Sequence, residues 1–181
     1  GITFKQTKDL DLSAYYWQPI GIGYTRDGAY RTRYFSGKYY GDGHTVSGVY
    51  TPAGTGNGYS RQGLFGYVQG QSSTNKATIQ NIGVIDSFIQ GEDNIGGVVG
   101  VAGSATITNC YNTGSVEGTG GNVGGVVGNI GGDVTNCYNT GTVSGVGDRV
   151  GGVVGNAYGG DVTNCYNTGS VSGSGEYVGG V

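Results

Sequence analysis

Acidic side chains recur at fixed intervals in the second half of the chain, where paired carboxylates could act on a glycan. Asp133 and Asp161 are 28 residues apart, and Glu92, Asp148 and Glu176 follow one another at intervals of 56 and 28 residues. Two carboxyl groups held ~5–9 Å apart are the arrangement that glycoside hydrolases use. Carboxylate oxygens gathered at one point could instead bind Ca²⁺. Both interpretations require the acids to lie side by side.

The surroundings of these acids favour a simpler interpretation, in which they are solvated turn residues. They lie in Gly-rich segments, they recur with a repeat, and Arg149 is the only basic residue after position 76. The sequence contains no Asp-x-Asp-x-Asp-Gly loop and no calcium-binding nonapeptide repeat. We therefore predict no catalytic residue, no cofactor and no metal site. A polysaccharide-cleaving enzyme, resembling a glycoside hydrolase or lyase, is the alternative.

The three cysteines share one position in the segment Thr-Asn-Cys-Tyr-Asn-Thr-Gly, which occurs at 108–114, 135–141 and 163–169. No C-x-x-C spacing is present. The single histidine, His44, has no partners for a zinc site, so we predict that it lies on a turn. Free cysteine behaves as a small buried apolar residue. We predict that Cys110, Cys137 and Cys165 form a column of buried thiols. A disulfide between neighbouring coils is the alternative.

The residues that flank each cysteine also recur. Asparagine tolerates the left-handed conformation, so Asn109, Asn136 and Asn164 are predicted to turn a corner and to pair their amides along the stack. Tyr111, Tyr138 and Tyr166 are predicted to stack across neighbouring strands. The sequence does not decide which residue of Thr-Asn-Cys points inward, because a corner resets the alternation of the strand.

These positions imply one architecture, because the whole segment repeats. Val-Gly-Gly-Val-Val-Gly or a close variant occurs at 95–100, 123–128 and 150–155, begins again at 178, and stays in phase with the cysteine segment at 27–28 residues. Such a unit is too small to close a core alone, and it gains one by stacking on its copies. We predict an all-β fold, a right-handed parallel β-helix with 27–28 residues per coil and three sheets. A β-propeller is the alternative, although its blades need about 40 residues.

The first part of the chain contains the same unit in a less regular form. Gly63-Leu64-Phe65-Gly66 precedes Gly97 by 34 residues, which indicates a 28-residue coil with an insertion at 71–76. We predict one domain over 1–181, with irregular, loop-rich coils and a possible cap in 1–76 and regular repeats in 77–181. The last repeat is truncated at Val181, and the absence of methionine suggests an excised segment that continues into further repeats.

Gly63-Leu64-Phe65-Gly66 and its Gly-Val-Val-Gly copies, together with the Asn-Cys-Tyr segments, resemble the GLUG-motif family. The leading residues around Trp17, Pro19 and Gly41-Asp42-Gly43 are similar to the region that precedes such repeats. The resemblance implies a module of large secreted or surface-anchored bacterial proteins, often adhesins, and of IgA-specific metallopeptidases. The chain lacks the His-Glu-x-x-His motif that those peptidases carry, so the peptidase activity is not implied.

Aromatic and basic residues crowd the first 67 positions, where we expect a ligand. Tyrosine offers a large rigid face with a polar tip, which suits contact with a glycan or a host surface protein. Packing against the first coils, or capping of the core, is the alternative. The candidate ligand-binding residues are Trp17, Tyr24, Tyr30, Arg31, Arg33, Tyr39, Tyr40, Tyr59 and Arg61.

Charge and hydropathy narrow the class of partner. Residues 1–76 hold eight of the nine basic and four of the twelve acidic residues, and 77–181 carry a net charge of −7. The basic residues are scattered rather than striped, which argues against nucleic acid. No run of 18 apolar residues is present, which argues against direct membrane insertion. We predict a non-catalytic, adhesin-like stalk or scaffold at the bacterial cell surface or outside the cell. Ice binding by the threonine rows at 108/135/163 and 113/140/168 is a third hypothesis.

Overall fold

The structure is a computed structural model that describes residues 1–22 and 33–181, and these residues form a parallel β-solenoid. Each short strand pairs in parallel with the equivalent strand of the next coil. In the regular half the paired residues are 27 or 28 positions apart, as for Val127 with Val154 and Val134 with Val162. The predicted all-β solenoid and its coil length are confirmed. The right-handed sense of the helix stays a prediction.

Two of the sheets contain six strands each among the described residues. Sheet 1 consists of Thr3–Lys5, Lys38–Tyr40, Ala77–Gln80, Ala105–Thr108, Asp133–Thr135 and Val162–Thr163. Sheet 2 consists of Leu10–Asp11, Thr45–Ser47, Gly83–Ile85, Tyr111–Asn112, Tyr138–Asn139 and Tyr166–Asn167.

Three further sheets, within the same described ranges, contain four strands each. Sheet 3 consists of Phe88–Gly91, Ser115–Gly118, Val143–Gly145 and Val171–Gly173. Sheet 4 consists of Ile95–Gly96, Val123–Gly124, Val150–Gly151 and Val178–Gly179. Sheet 5 consists of Phe65–Val68, Val99–Ala102, Val127–Ile130 and Val154–Ala157. A short 3₁₀ helix spans Asn57–Tyr59.

A regular coil passes through sheets 1 to 5 in order, and we number the coils by their sheet 1 strand. Coils 1 and 2 begin at Thr3 and Lys38, and coils 3 to 6 span 77–102, 105–130, 133–157 and 162–179. Among the described residues, coil 2 has no strand in sheets 3 and 4: Tyr50 makes an isolated bridge to Phe88, and the segment between Tyr50 and Phe65 forms a loop and the 3₁₀ helix.

The expectation of three sheets is wrong, since the described part of the chain has five. The additional breaks occur where a residue adopts positive φ, which a strand cannot accommodate. Between sheets 1 and 2 this residue is Asn81, Asn109, Asn136 or Asn164, with φ of 53° to 56°. Before sheet 4 it is Asn94, Asn122 or Arg149, with φ of 60° to 63°.

The interior consists of columns of like side chains. Val126 and Val153 are both completely buried, and the N–H of Val126 donates to the carbonyl of Val153 at 2.9 Å. The columns through Ile107 and Val134 and through Val116 and Val143 are buried in the same way. One coil alone would expose this surface, so stacking supplies the hydrophobic stabilisation.

Close stacking of neighbouring coils explains why position 125 of the repeat is a glycine. A Cβ atom there would lie 2.1 Å from the carbonyl oxygen of Gly152 and 2.5 Å from Cγ of Asn139. Both distances are far below van der Waals contact, so the backbone of the next coil occupies the space that a side chain would need.

The irregular half keeps the register of the regular one. Phe65 pairs with Val99, which confirms that Gly63-Leu64-Phe65-Gly66 occupies the position of the later Gly-Val-Val-Gly segments. Val68 and Ala77 pair with Ala102 and Ala105, respectively, so the chain between them is longer by the predicted insertion. Within the described residues, no helix has the length and hydropathy needed to cross a bilayer.

Candidate functional site

Two of the recurring carboxylates, those of Asp133 and Asp148, bind the backbone of the next coil. Oδ1 of Asp133 accepts the N–H of Asp161 at 3.3 Å, and Oδ1 of Asp148 accepts the N–H of Glu176 at 3.2 Å. Asp93 does the same for the N–H of Gly121 at 2.7 Å. These contacts satisfy backbone donors at turns, which is a structural use of the acids.

The environment of Asp133 disfavours a role as general acid. Its Oδ2 lies 2.6 Å from Nζ of Lys76, and the hydrogen bond from Lys76 lowers the pKa of the Asp133 carboxyl. A carboxyl that protonates a leaving group requires a raised pKa. The carboxylate of Glu92 accepts the backbone N–H of Gly56.

No metal-binding cluster is present in residues 1–22 and 33–181, where no three His, Cys, Asp or Glu side chains gather closely enough to hold an ion. His44 follows the turn at 41–43, where its N–H donates to the carbonyl of Gly41. Its Nδ1 lies 3.2 Å from Oδ1 of Asp9. The histidine therefore occupies a turn, as predicted.

The cysteines form the expected interior column as free thiols. Cys110 and Cys137 are fully buried, and Cys165 is partly exposed on the last coil. The hydrogen bond with Cys110, followed by burial, raises the pKa of Cys137 to about 12. Cys137 is therefore a poor nucleophile at neutral pH, because the thiolate is the reactive form.

Two ladders of asparagine amides flank the thiol column. In the outer ladder, Nδ2 of Asn136 donates to Oδ1 of Asn109 at 3.1 Å, which confirms the predicted pairing for this step. In the inner ladder, Nδ2 of Asn112 donates to Oδ1 of Asn139 at 2.9 Å, and Asn139 repeats the contact with Asn167 at 2.8 Å. Asn112 and Asn139 are completely buried.

The inner ladder was not predicted from the sequence. Its signal was the second asparagine of each Asn-Cys-Tyr-Asn segment, which occupies the column that Val46 and Val84 occupy in coils 2 and 3. Each amide also donates to the carbonyl two residues later, as Asn139 does to Gly141 at 2.8 Å. Buried amides satisfied in this way stabilise a single register.

The tyrosines of the repeat stack as predicted. The ring centroids of Tyr111 and Tyr138 lie 4.9 Å apart with planes 2° from parallel, and those of Tyr138 and Tyr166 lie 5.1 Å apart at 4°. Tyr111 in turn covers Gly83, where a Cβ would lie 2.2 Å from its ring. The stack therefore occupies the ring faces that a ligand would need.

Six of the nine candidate ligand-binding residues lie in the described part of the chain, and Tyr24, Tyr30 and Arg31 lie outside it. Trp17 and Tyr39 pack against the core. The indole N–H of Trp17 donates to the carbonyl of Leu64 at 3.1 Å, and the Tyr39 hydroxyl donates to Oε1 of Gln6 at 2.8 Å.

The structure brings Trp17, Tyr59 and Arg61 together around one cavity, but not with the other candidates. That cavity measures about 20 Å³, which is room for one water molecule. The Arg61 guanidinium lies 5.1 Å from the centre of the Tyr67 ring. Arg33 is exposed, and Tyr40 is half-buried at the end of its sheet 1 strand.

A larger open groove lies at the corner between sheets 2 and 3 and crosses coils 1 to 4. Its two adjoining sections measure about 480 and 410 Å³ and share Ser13 and Tyr50. The corner positions of coils 1 to 4, which line its length, are Ser13, Gly48, Ser87 and Gly114. The volume is in the range of ligand sites of other proteins.

Aromatic rings follow one side of this groove. The centroids of Tyr16 and Tyr50 lie 5.3 Å apart, and those of Tyr50 and Phe88 lie 5.9 Å apart. Tyr15, Tyr16 and Tyr50 are 81%, 67% and 39% exposed, respectively. Exposed aromatic rows of this kind mark interaction surfaces. The sequence placed these tyrosines in the aromatic-rich region without singling them out, because they meet only when coils stack.

Comparison with known proteins identifies the repeat. The family model described as "The GLUG motif" matches residues 91–117, 119–144 and 147–172. A search of curated proteins gave no significant match. A solved structure from Bacteroides ovatus, described as a "putative immunoglobulin A1 protease", is similar with a TM-score of 0.57 and 18% sequence identity. The similarity covers 98% of this chain and 72% of that one.

At 18% sequence identity, the solved structure shows that the two folds are alike and nothing more. Each of the three matches begins in the sheet 3 strand of one coil, or between its sheet 3 and sheet 4 strands, and ends in the sheet 3 strand of the next coil. One motif therefore corresponds to one coil. The regular part of the chain, over residues 91–172, is a tandem array of three GLUG motifs.

Proposed function

We propose that this chain is a non-catalytic module of a secreted or surface-attached bacterial protein, which acts as an adhesin-like scaffold and presents a surface for a glycan or a host protein. The observation that carries this proposal is the use of the recurring carboxylates. Asp133 and Asp148 each accept a backbone N–H of the following coil, as does the neighbouring acid Asp93, so these acids serve the stacking of coils rather than a reacting centre.

Two further observations support the scaffold role. The columns of Val, Asn and Tyr make each coil a template for the next, so length is added by repetition without a new core. The GLUG motifs and the likeness of fold to a protein named for an immunoglobulin substrate fit an extracellular setting. Antibodies raised against the chain should label intact bacterial cells or their culture medium.

A pair of assays on the purified chain tests the proposal. Binding is measured on an array of bacterial, plant and host glycans together with immobilised host surface proteins. Cleavage is measured as release of reducing ends from polysaccharides. Binding without release supports the module. Release of reducing ends, abolished by Asp133→Asn, would support the polysaccharide-cleaving alternative and overturn the proposal.

A further inference from the structure

We infer that the groove between sheets 2 and 3 binds a neutral, extended β-linked glycan, which lies along the solenoid axis with its sugar rings against Tyr16 and Tyr50. This inference rests on the proposed function, since it names the ligand and the surface. It is carried by the exposed aromatic row along one side of a groove that, among the described residues, has no basic lining residue.

The aromatic row supplies the faces for stacking. Tyr16 lies on coil 1, Tyr50 on coil 2 and Phe88 on coil 3, and their centroids are 5.3 and 5.9 Å apart. The planes are inclined by 40° and 38°, so the rings are tilted and do not cover one another as the parallel Tyr111 and Tyr138 rings do. Pyranose rings present flat C–H faces that pack on aromatic rings of this kind.

The rest of the groove supplies hydrogen bonds. Ser13 and Ser115 line it, together with Asp86, which is exposed and held at φ 47°. Hydroxyl oxygens both donate and accept, and a carboxylate accepts. These groups match the hydroxyls at the edge of a sugar ring.

Charge distinguishes the class of glycan. Among the described residues that line the two sections of the groove, Asp86 is the only ionisable group besides the tyrosines, and none is basic. Recognition of carboxylate, sulfate or phosphate groups depends on Arg or Lys. The lining therefore favours a neutral glycan over an anionic one.

Backbone pairing argues against an extended peptide. A peptide strand binds by adding to a free sheet edge. Beside the groove, the strand Thr45–Ser47 already pairs with Leu10–Asp11 on one side and with Gly83–Ile85 on the other. Ligand recognition here must use side chains, which suits a glycan.

The length of the groove favours a chain over a single sugar. Its lining residues come from four successive coils, which at ~4.8 Å per coil extend over roughly 15 Å. A linear oligosaccharide laid along the axis contacts the aromatic row on one side and the hydroxyl groups on the other.

The test is calorimetric titration of the 181-residue chain with cellohexaose, a neutral β-linked hexasaccharide, and with the anionic hexagalacturonate. We expect binding of cellohexaose only. Tyr16→Ala should weaken it by about tenfold, because this largely exposed ring offers its face to the ligand. Tyr158→Ala is the matched control, since Tyr158 is also exposed at 64% but directly follows the last strand of coil 5, outside the groove. Thermal melting of both variants checks that the fold is retained.

The outcomes separate this inference from the proposed function. Equal binding by the Tyr16→Ala and Tyr158→Ala variants, or preference for hexagalacturonate, would overturn the groove assignment and leave the scaffold module standing. Binding to a host protein but to neither hexasaccharide would also overturn it. Cleavage of cellohexaose would overturn both. Tyr50→Ala supplies a second variant, for which a loss similar to that of Tyr16→Ala supports the row as one surface.

Discussion

The backbone N–H of Cys110 lies 3.4 Å from the sulfur of Cys137, the cysteine of the next coil. Two residues separated by 27 positions are thus vertical neighbours, and the repeat of the sequence is the repeat of the structure. This backbone hydrogen bond lowers the pKa of Cys137, whereas the side-chain hydrogen bond with Cys110 and burial raise it, and the raising effects are larger.

Replacement of the buried thiol should be tolerated with a limited loss of stability. Cys137→Ser places a stronger hydrogen-bonding group in an apolar column, and we expect the free energy of unfolding to fall by ~1–3 kcal/mol. Chemical denaturation measures this change. In the native wild-type protein, a thiol reagent should modify Cys137 only after unfolding. Rapid modification of Cys137 under native conditions would contradict its interior position.

Alkaline pH should destabilise the protein through the same residue. The folded pKa of Cys137 is raised from 9.0 to about 12, so its contribution is complete below pH 9 and is lost as the pH rises toward 12. The expected slope for one such proton is up to ~1.4 kcal/mol per pH unit. Cys137→Ala removes the group, so its unfolding free energy should fall less steeply over this window. An unchanged slope would show that other groups cause the loss.

The two asparagine ladders should differ in their effect on stability. Asn139→Ala removes one hydrogen-bond partner of the buried Asn112 amide and one of the half-buried Asn167 amide, so we expect a loss of ~2–3 kcal/mol. Asn136→Gly is the control, because it removes an exposed amide of the outer ladder and retains a residue that accepts φ 54°. Its cost should stay below ~1 kcal/mol. Similar losses for both variants, measured by denaturant titration, would argue against a special role for the inner ladder.

Glycine substitutions along one column should show how far the stacking extends. Gly125→Ala would force a Cβ into the backbone of the next coil, and we expect a loss of ~3 kcal/mol or failure to fold. Gly180 occupies the equivalent place on the last coil, where a Cβ would have no neighbour within 4 Å. Gly180→Ala should change the free energy of unfolding by no more than ~0.5 kcal/mol. A large effect of Gly180→Ala on melting would contradict this placement.

Acidic pH should weaken the contact between Lys76 and Asp133. The pKa of Asp133 is lowered by the hydrogen bond from Lys76, so its stabilisation is present above the unfolded value of 3.8 and is lost as the pH falls through the folded value. Both side chains are about one-third exposed, which limits the contribution to below ~1 kcal/mol. Asp133→Asn should remove this part of the acid dependence in thermal melts at low salt. Lys5→Ala, which breaks the more exposed pair with Asp42, serves as the control.

The fold was predictable because one repeat of the sequence is one coil of the structure. Once Val126 and Val153 are placed in one column, the positions of Cys110, Cys137 and the stacked tyrosines follow. The number of sheets was not predictable, because residues in the left-handed backbone conformation, such as Asn122 and Arg149, divide a coil at points that local composition does not mark. The inward position of Asn112 was hidden for the same reason, since Asn109 resets the alternation just before it.

The groove could not be found in the sequence, because its parts are distant in the chain. Tyr16, Tyr50 and Phe88 are separated by 34 and 38 residues, which is not the regular interval of 27–28. Only the register of the irregular coils brings them together, as in the pairing of Tyr50 with Phe88. The candidates chosen by composition included Trp17 and Tyr39, whose side chains are used for packing.

The ion pair between Lys76 and Asp133 joins coil 3 to coil 5 and passes over coil 4. All other steps along sheet 1 connect immediate neighbours. A stack held only by adjacent contacts frays one layer at a time from its end. Loss of coil 6 leaves this ion pair intact, whereas detachment of coil 5 must also break it. Detachment of coil 5 should therefore cost more than detachment of coil 6 by up to ~1 kcal/mol, and hydrogen exchange would report correspondingly stronger protection in coil 5.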